Sequence, residues 1–168
     1  TLAALGELFD EFNETVIMDI IGVTNGTEGT PGQKTVTIED DDPTPTVVLE
    51  VGTITLDEKN GTTSTTVTLT LSAKSNLDVT VGLKKTGTAT DVADYDLVNS
   101  ILISAGVQSV TKTLSVVDDT PLDEEDETII LDIDTVTNGL EFQTQQKTIT
   151  IKDDDKTPYL TLILGSAS

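Results

Sequence analysis

The sequence lacks several residue types on which most enzyme chemistry depends. Its 168 residues contain no His, no Cys and no Trp, and only 3% of them are aromatic. All nine basic residues are Lys, so no guanidinium can hold a phosphate or carboxylate through two parallel hydrogen bonds. Without His or Cys the chain has neither a Ser-His or Cys-His nucleophile pair nor a His/Cys zinc site.

Positive charge is also scarce. The 9 Lys residues face 30 Asp and Glu residues, which gives a formal net charge of -21. We therefore expect no nucleic-acid partner, because duplex phosphates require clustered basic side chains. No apolar run approaches the roughly 20 residues of a membrane-spanning helix, so we expect no membrane insertion. Two oxygen-based chemistries remain open: carboxylates as acid and base, or carboxylates that hold a hard cation such as Ca²⁺.

The residues that are abundant favour β-structure. Thr accounts for 32 residues and 36% of the chain is hydrophobic, which suits a packed β core better than a disordered acidic tail. Alternation of apolar and polar residues, interrupted by Gly, Asn, Asp and Pro, predicts seven strands and an antiparallel sandwich. The predicted strands are 46–56 (bent at Gly52), 63–73, 77–85, 100–104, 108–117, 127–136 and 144–152.

The chain contains a tandem repeat with a period of 113 residues. Residues 14–52 align with residues 127–165 without a gap, and more than half of the aligned pairs are identical. With one residue of slip, Thr1 and Leu2 also align with Thr113 and Leu114. We predict that residues 1–42 are the last two strands of a preceding repeat, residues 44–155 a complete domain, and residues 156–168 the first strand of a following repeat.

The predicted strand order concentrates the carboxylates at one end of the complete domain, here called the acidic pole. Successive connections alternate between the two ends, so the first, third and fifth connections meet where the last strand also exits. The opposite end, the far pole, is formed by the turns at residues 75–76, 105–106 and 138–139 and carries little charge. Two charges about 4 Å apart repel by roughly 4 kcal/mol at an effective dielectric near 20, and a divalent cation would relieve this repulsion. The alternative interpretation is a solvated acidic surface. The acidic pole comprises Asp57, Glu58, Asp91, Asp94, Asp96, Asp118, Asp119, Asp123, Glu124, Glu125, Asp126, Glu127, Asp153, Asp154 and Asp155.

These motifs, taken together and in this order, resemble the Calx-β domain of sodium/calcium exchangers and many large bacterial surface proteins. The resemblance spans residues 46–155, and residues 1–42 resemble the end of a preceding copy. Singly each motif has low specificity, whereas the ordered set is specific. The matching segments are Glu58-Lys59-Asn60-Gly61-Thr62, Gly87-Thr88-Ala89, Asp94-Tyr95, Val116-Val117-Asp118-Asp119, Glu125-Asp126-Glu127 and Asp153-Asp154-Asp155.

The resemblance implies a seven-stranded immunoglobulin-like β-sandwich whose acidic pole binds Ca²⁺, with more than one ion per complete domain. The connection at residues 119–124 is one residue longer than in exchanger-type members. The choice between Asp123 and Glu124, and a backbone carbonyl ligand near Pro121 or Leu122, therefore stays open. The implied ligands are Glu58, Asp94, Asp118, Asp119, Glu124, Glu127, Asp153, Asp154 and Asp155.

The function that we predict is structural and not enzymatic: a Ca²⁺-rigidified repeat module of an extracellular or cell-surface adhesin or fibre. The absence of Cys suits a surface protein that uses Ca²⁺ in place of disulfides, although it equally suits a cytosolic protein. Two alternatives remain, a calcium-sensing regulatory module and an accessory domain of a secreted hydrolase. Ion affinity distinguishes a structural module from a sensor.

The expected partners are adjacent repeats of the same protein. Residues 1–42 supply only two strands, and an isolated hairpin is marginal in water. The C-terminal residues 159–164 match the first strand of a further copy. We therefore expect intermolecular contacts at both ends, including head-to-tail self-association by strand addition, and at most a partial ion site at Asp40, Asp41 and Asp42.

Overall fold

The computed structural model describes residues 2–30, 32–59, 61–118 and 124–164. All regular secondary structure in these ranges is β-strand, which confirms the predicted all-β class. No described segment forms a helix that is long and apolar enough to cross a membrane. In chain order the strands are β1 (Glu14–Met18), β2 (Lys34–Ile38), β3 (Thr46–Val51), β4 (Thr55–Asp57), β5 (Ser64–Leu71), β6 (Val79–Gly87), β7 (Tyr95–Asp96), β8 (Ser100–Ile103), β9 (Ser109–Val116), β10 (Glu127–Thr137), β11 (Leu140–Glu141) and β12 (Gln146–Lys152).

Ten of these strands form two five-stranded sheets. The first sheet has the order β4-β12-β10-β6-β8, and the second has the order β11-β3-β5-β9-β7. The long strands pair antiparallel, with β10 between β12 and β6 and with β5 between β3 and β9. Two short pairings are parallel: β12 with β4, and β11 with β3.

The two sheets share one apolar core, built by the predicted alternation. In β5 the side chains of Val67, Leu69 and Leu71 are buried, while the intervening Thr residues face outward. The first sheet contributes alternate residues of β6, β10 and β12, among them Val81 and Leu131, to the same cluster. The faces thus meet as in an immunoglobulin-like sandwich.

The predicted first strand is divided in the structure. Residues up to Val51 belong to the second sheet as β3, whereas β4 belongs to the first sheet, so the chain changes sheets around Gly52. The backbone N–H of Gly52 still donates to the carbonyl of Thr66, 3.0 Å away. A Cβ at this position would lie 2.9 Å from Thr66 Oγ1, so a larger residue would require the Thr66 side chain to shift.

The six other predicted strands coincide with β5, β6, β8, β9, β10 and β12 to within two residues at each end. The two-residue strands β7 and β11 were not predicted, because two residues cannot display an alternation. Beside β3, the carboxamide of Gln145 accepts from the N–H of Leu49 and donates to the carbonyl of Val47, both at 2.8 Å. This side chain thus extends the edge of the second sheet.

Strands β1 and β2 form a separate hairpin whose register is that of β10 and β12 at a spacing of 113 residues. Glu14 pairs with Ile38 as Glu127 pairs with Ile151. Asn25 and Asn138, which occupy equivalent positions, both have positive φ, at 61° and 56°. In its strands Ile17, Met18 and Val36 are exposed, whereas Val16 and Ile38 are half-buried. The head-to-tail association stays a prediction.

The C-terminal described residues 153–164 form no strand. Their apolar side chains lie in solvent: Tyr159 is 90% exposed and Leu160 is 98% exposed. The correspondence to β3 of a following copy is therefore a property of the sequence alone.

Candidate metal centre

The parallel pairing of β4 with β12 brings two acidic segments together at the acidic pole. Asp57 is the residue opposite Lys152 in this pairing. The next residue on one side is Glu58, whose backbone N–H donates to the carbonyl of Lys152 at 3.3 Å. On the other side Asp153 follows β12 directly. Because β4 and β12 are parallel and end side by side, the residues that follow them lie close together.

Three carboxylates meet at this point. Glu58, Asp153 and Asp155 each offer one oxygen, and these oxygens lie within 4.8 Å of one another. Glu58 is 5% exposed, and the two Asp residues are half-buried. In the described ranges this is the only set of three acidic side chains so arranged. The spacing of Asp153 and Asp155 places both on one side of an extended segment.

The carboxylate of Asp155 lies in an unfavourable environment for its charge. Burial raises the pKa of Asp155, and the charges of Asp153, Asp118 and Asp154 raise it further, while Lys59 lowers it. Its Oδ2 is shielded from solvent and has no hydrogen-bond partner among the described residues. A buried carboxylate oxygen without a donor is costly, and a cation is one way to satisfy it.

Asp118 lies beside this cluster at the end of β9. Its Oδ2 is 3.1 Å from the ammonium group of Lys59. The hydrogen bond to Asp118 raises the pKa of Lys59, and the charges of Asp118, Asp155 and Asp154 act in the same direction. Lys59 therefore places a positive charge beside the carboxylates of Asp118, Asp154 and Asp155. The sequence reasoning placed Lys59 in a motif but did not assign it this role.

Four further predicted ligands lie in the described part of the acidic pole. Glu127 and Asp154 are half-buried, and one carboxylate oxygen of each is shielded from solvent. Glu124 is exposed. The carbonyl of Asp94 accepts from Val117 at 2.9 Å, which places the Asp94 backbone beside the end of β9, while its carboxylate accepts from the N–H of Thr90 in its own loop. These four remain predicted ligands.

The remaining predicted ligand, Asp119, lies outside the described residues, as do Asp123 and the two candidates for a carbonyl ligand, Pro121 and Leu122. The choice between Asp123 and Glu124 therefore stays as the sequence leaves it. Asn60 of the motif after β4 is likewise not described.

A buried lysine holds the loop that carries Asp94. The side chain of Lys85 is 7% exposed, and its ammonium lies 2.5 Å from Asp91 Oδ2 and 2.8 Å from the carbonyl oxygen of Leu97. It also lies 5.7 Å from the centroid of the Tyr95 ring. Burial raises the pKa of Tyr95, and the charges of Asp91 and Asp94 add to this effect. The sequence offered no sign of this inward Lys, because long side chains at strand ends usually face water.

The N-terminal hairpin carries a second acidic group. With the one-residue slip placed after Glu7, the residues Glu7, Glu11, Glu14 and 40–42 correspond in sequence to Asp119, Glu124, Glu127 and 153–155. All six line one cavity of about 410 Å³. A hydrogen bond with Glu11 raises the pKa of Glu7, and burial together with Asp40 and Asp41 raises that of Asp42. These six acidic residues therefore surround one cavity.

Solved structures identify the fold. The crystal structure of the apo-form Calx CBD1 domain superposes with a TM-score of 0.51 at 22% sequence identity, covering 66% of this chain and 99% of that domain. The chain has the fold of a Calx-β domain. The CBD12 structures of CALX1.2 and CALX1.1 match with TM-scores of 0.48 and 0.49 at 22% and 21% identity, over 60% and 63% of this chain.

The chain spans less than half of each CBD12 structure, 41% and 45% of their lengths. No protein-family model matches the sequence. No curated protein sequence is significantly similar to it either. The comparisons therefore establish the fold and leave the function to the chemistry of the site.

The donor set at the acidic pole fits a hard divalent cation. Every candidate side-chain ligand is a carboxylate, and oxygen-only sites suit Ca²⁺ or Mg²⁺ rather than Zn²⁺. Ca²⁺ accepts six to eight oxygens in flexible geometry, whereas Mg²⁺ demands a near-ideal octahedron. Ligands gathered from two connections and a strand exit are more compatible with the flexible requirement. The buried, unsatisfied Oδ2 of Asp155 is the atom that such an ion would satisfy.

Proposed function

We propose that this chain is a Ca²⁺-binding, Ca²⁺-rigidified structural repeat module of an extracellular adhesin or surface fibre, and that it has no catalytic role. The observation that supports this most directly is the convergence of Glu58, Asp153 and Asp155, with three oxygens within 4.8 Å. Glu58 is almost fully buried there. Like charges held this close repel one another, and a bound cation would relieve that repulsion.

Glu58, Asp153 and Asp155 would form the centre of the ion site. Asp118 lies close enough to join them, since it shares Lys59 with the group. The number of acidic groups at this pole supports more than one ion per complete domain. Asp94, Asp119, Glu124, Glu127 and Asp154 are the proposed additional ligands, carried over from the resemblance.

The position of the site supports a mechanical role. Asp153 and Asp155 lie between the last strand of the complete domain and residues 156–164, where a following repeat would begin. An ion held by this segment and by Glu58 would restrain the exit direction of the chain relative to β4. In a tandem array, a flexible linker would thereby become a fixed joint.

The exposed apolar ends of the chain support partners of the same kind. Ile17 in β1 is 61% exposed, and Ile163 near the C-terminus is 85% exposed. Adjacent repeats, or a second molecule added head to tail through its free strands, would cover these side chains. A surface location agrees with the use of Ca²⁺ in place of disulfides, because the chain has no Cys.

Isothermal titration with Ca²⁺ tests the proposal and separates it from a sensor. An extracellular structural module binds with a Kd of about 10⁻⁴ to 10⁻³ M, whereas sensors bind at about 10⁻⁷ to 10⁻⁵ M. We expect the weaker range for this chain. A Kd of about 10⁻⁵ M or lower would favour the calcium-sensing alternative, and the absence of any saturable heat would contradict the calcium site itself.

A further inference from the structure

The far pole of the complete domain holds the segment that precedes β1. The carbonyl oxygen of Asp10 accepts from the backbone N–H of Asn76 and from the hydroxyl of Ser75, both at 3.0 Å. Asp10 Oδ2 lies 3.2 Å from the same hydroxyl. The amide of Asn76 donates to Glu11 Oε2 at 3.2 Å. Asp10 and Ser75 also form an isolated parallel bridge.

This contact is buried although it is polar. Asp10 is 7% exposed and Ser75 is 1% exposed. Burying a carboxylate without a hydrogen-bond donor is unfavourable. The Ser75 hydroxyl beside the Asp10 carboxylate therefore indicates a defined binding site and not a chance contact. The position of Ser75 is fixed by the domain itself, because its carbonyl accepts from the N–H of Gly106 at 2.8 Å and its hydroxyl accepts from the N–H of Leu77 at 3.0 Å.

The sequence repeat shows which parts of two neighbouring repeats this contact joins. Asp10 and Glu11 lie shortly before β1 in the sequence, at the same distance as Asp123 and Glu124 lie before β10. They belong to the acidic pole of the preceding copy, whereas Ser75 belongs to the far pole of the complete domain. The contact therefore joins one end of a repeat to the opposite end of the next.

We propose that the turn at Ser75 and Asn76 is a docking surface for the acidic connection of the preceding repeat, and that this direct joint fixes the angle between neighbouring repeats without a cation. The inference rests on the proposed repeat organisation but not on calcium binding. All of its bonds are between protein groups, so the joint forms in metal-free protein. Calcium at the acidic pole would then add a second restraint on the same junction.

Spin-label distances measure the joint directly. The chain has no native Cys, so labels at Thr15→Cys on β1 and Thr113→Cys on β9, both exposed, are unique. Electron-electron double resonance in EDTA should give one narrow distance distribution for the otherwise unaltered chain. The double variant Asp10→Ala/Asn76→Ala should broaden the distribution at least twofold. Ser104→Ala, an exposed change at the same pole, is the matched control and should leave it unchanged.

A second measurement covers the case in which the variant retains enough backbone contact to stay docked. The Asn76 N–H donates to Asp10, a residue of the other repeat, so its hydrogen exchange reports the joint itself. We expect exchange at least tenfold slower than in an unprotected amide, in EDTA as in Ca²⁺. Fast exchange at Asn76, or an unaltered chain whose distances are as broad as those of the double variant, would overturn the joint. Neither result would bear on calcium affinity at Glu58.

Discussion

Glu58→Gln should stabilise the metal-free protein and reduce the stabilisation that calcium provides. Glu58 is 5% exposed and contributes one of three carboxylate oxygens that lie within 4.8 Å of one another. Glutamine has nearly the same shape and keeps an acceptor oxygen, so packing is preserved while one charge is removed. The effect therefore isolates the electrostatics of the cluster.

The metal-free effect follows from Coulomb's law. Two charges 4.8 Å apart repel by about 0.9 kcal/mol in water and by about 3.5 kcal/mol at an effective dielectric of 20. Because Asp153 is half-buried and salt screens the pair, we expect relief of about 1 kcal/mol. For a domain of this size that corresponds to a melting temperature about 4 °C higher than in the unaltered protein.

In calcium the gain should be cancelled, because the variant binds the ion more weakly. At a free Ca²⁺ concentration 100 times Kd, one site stabilises the unaltered protein by about 2.7 kcal/mol, or about 10 °C. If the loss of one carboxylate lowers affinity about tenfold, that gain falls to about 1.4 kcal/mol. Melting curves in EDTA and in excess CaCl₂ measure both arms. Asp78→Asn at the far pole, where the side-chain oxygen accepts from Ala105 at 2.8 Å, is the control and should change neither arm by more than about 2 °C. A Glu58→Gln variant that melts lower by the same amount in both buffers would show a packing role and refute the electrostatic reasoning.

Three further predictions concern the surroundings of the site. Lys59→Ala should raise Ca²⁺ affinity about twofold to fivefold in calorimetric titration, because it removes a cation from Asp118. The control Lys112→Ala, an exposed change away from the acidic pole, should leave the affinity unchanged. Equal effects of the two variants would indicate that only the overall charge matters. Gly87→Ala should destabilise the domain by about 3 kcal/mol in denaturant unfolding, since Gly87 has φ +125° and an added Cβ would overlap the Thr128 carbonyl. Gly106 has φ +75° and open space around it, so Gly106→Ala should destabilise the domain by only about 1 kcal/mol. Similar losses for the two variants would contradict a steric role of Gly87. In metal-free protein the raised pKa of Asp155 means that the folded state binds the proton more tightly, so melting temperature should rise as pH falls from neutrality toward the ordinary carboxylate range, and Ca²⁺ should abolish this rise; a metal-free melting temperature that falls steadily over that interval would contradict it.

The ion pair of Asp126 with Lys152 affects a different pH interval. The hydrogen bond from Lys152 lowers the pKa of Asp126. The ion pair therefore contributes to folding stability at pH values above the ordinary Asp pKa, and this contribution is lost only as pH falls through the lowered pKa. The gain from Asp155 and the loss from Asp126 therefore lie on opposite sides of that value.

Much of the fold could be predicted because it depends on local pattern. Val67, Leu69 and Leu71 alternate with Thr, and that alternation fixes which face of β5 is buried. The convergence of the acidic connections follows from strand order, which the same alternation reveals. The Asp triplets stand out because the repeat preserves them.

Other features depend on contacts between distant segments and could not be predicted. The bend at Gly52 was visible, but the transfer of β4 to the other sheet and its parallel pairing with β12 are tertiary outcomes. That pairing is what places Glu58 beside Asp153. The inward position of Lys85 likewise depends on the loop that folds back over it, since Asp91 and the carbonyl of Leu97 supply its partners.

The carboxylate of Asp94 shows which details a motif leaves undetermined. The resemblance predicts a ligand at this position, and that stays a prediction; in the structure one oxygen of the carboxylate accepts from the N–H of Thr90. A motif specifies the residue type and the connection, but the rotamer depends on neighbours such as Thr90 that the motif does not include.

Thermal unfolding of the whole chain in CaCl₂ and in EDTA decides whether the acidic pole binds calcium. We expect the melting temperature to rise with Ca²⁺ concentration, by about 10 °C for each site at 100 times its Kd, and to rise less with equal MgCl₂. Coincident melting curves in CaCl₂ and EDTA would contradict the claim that the carboxylates around Glu58 form a calcium site.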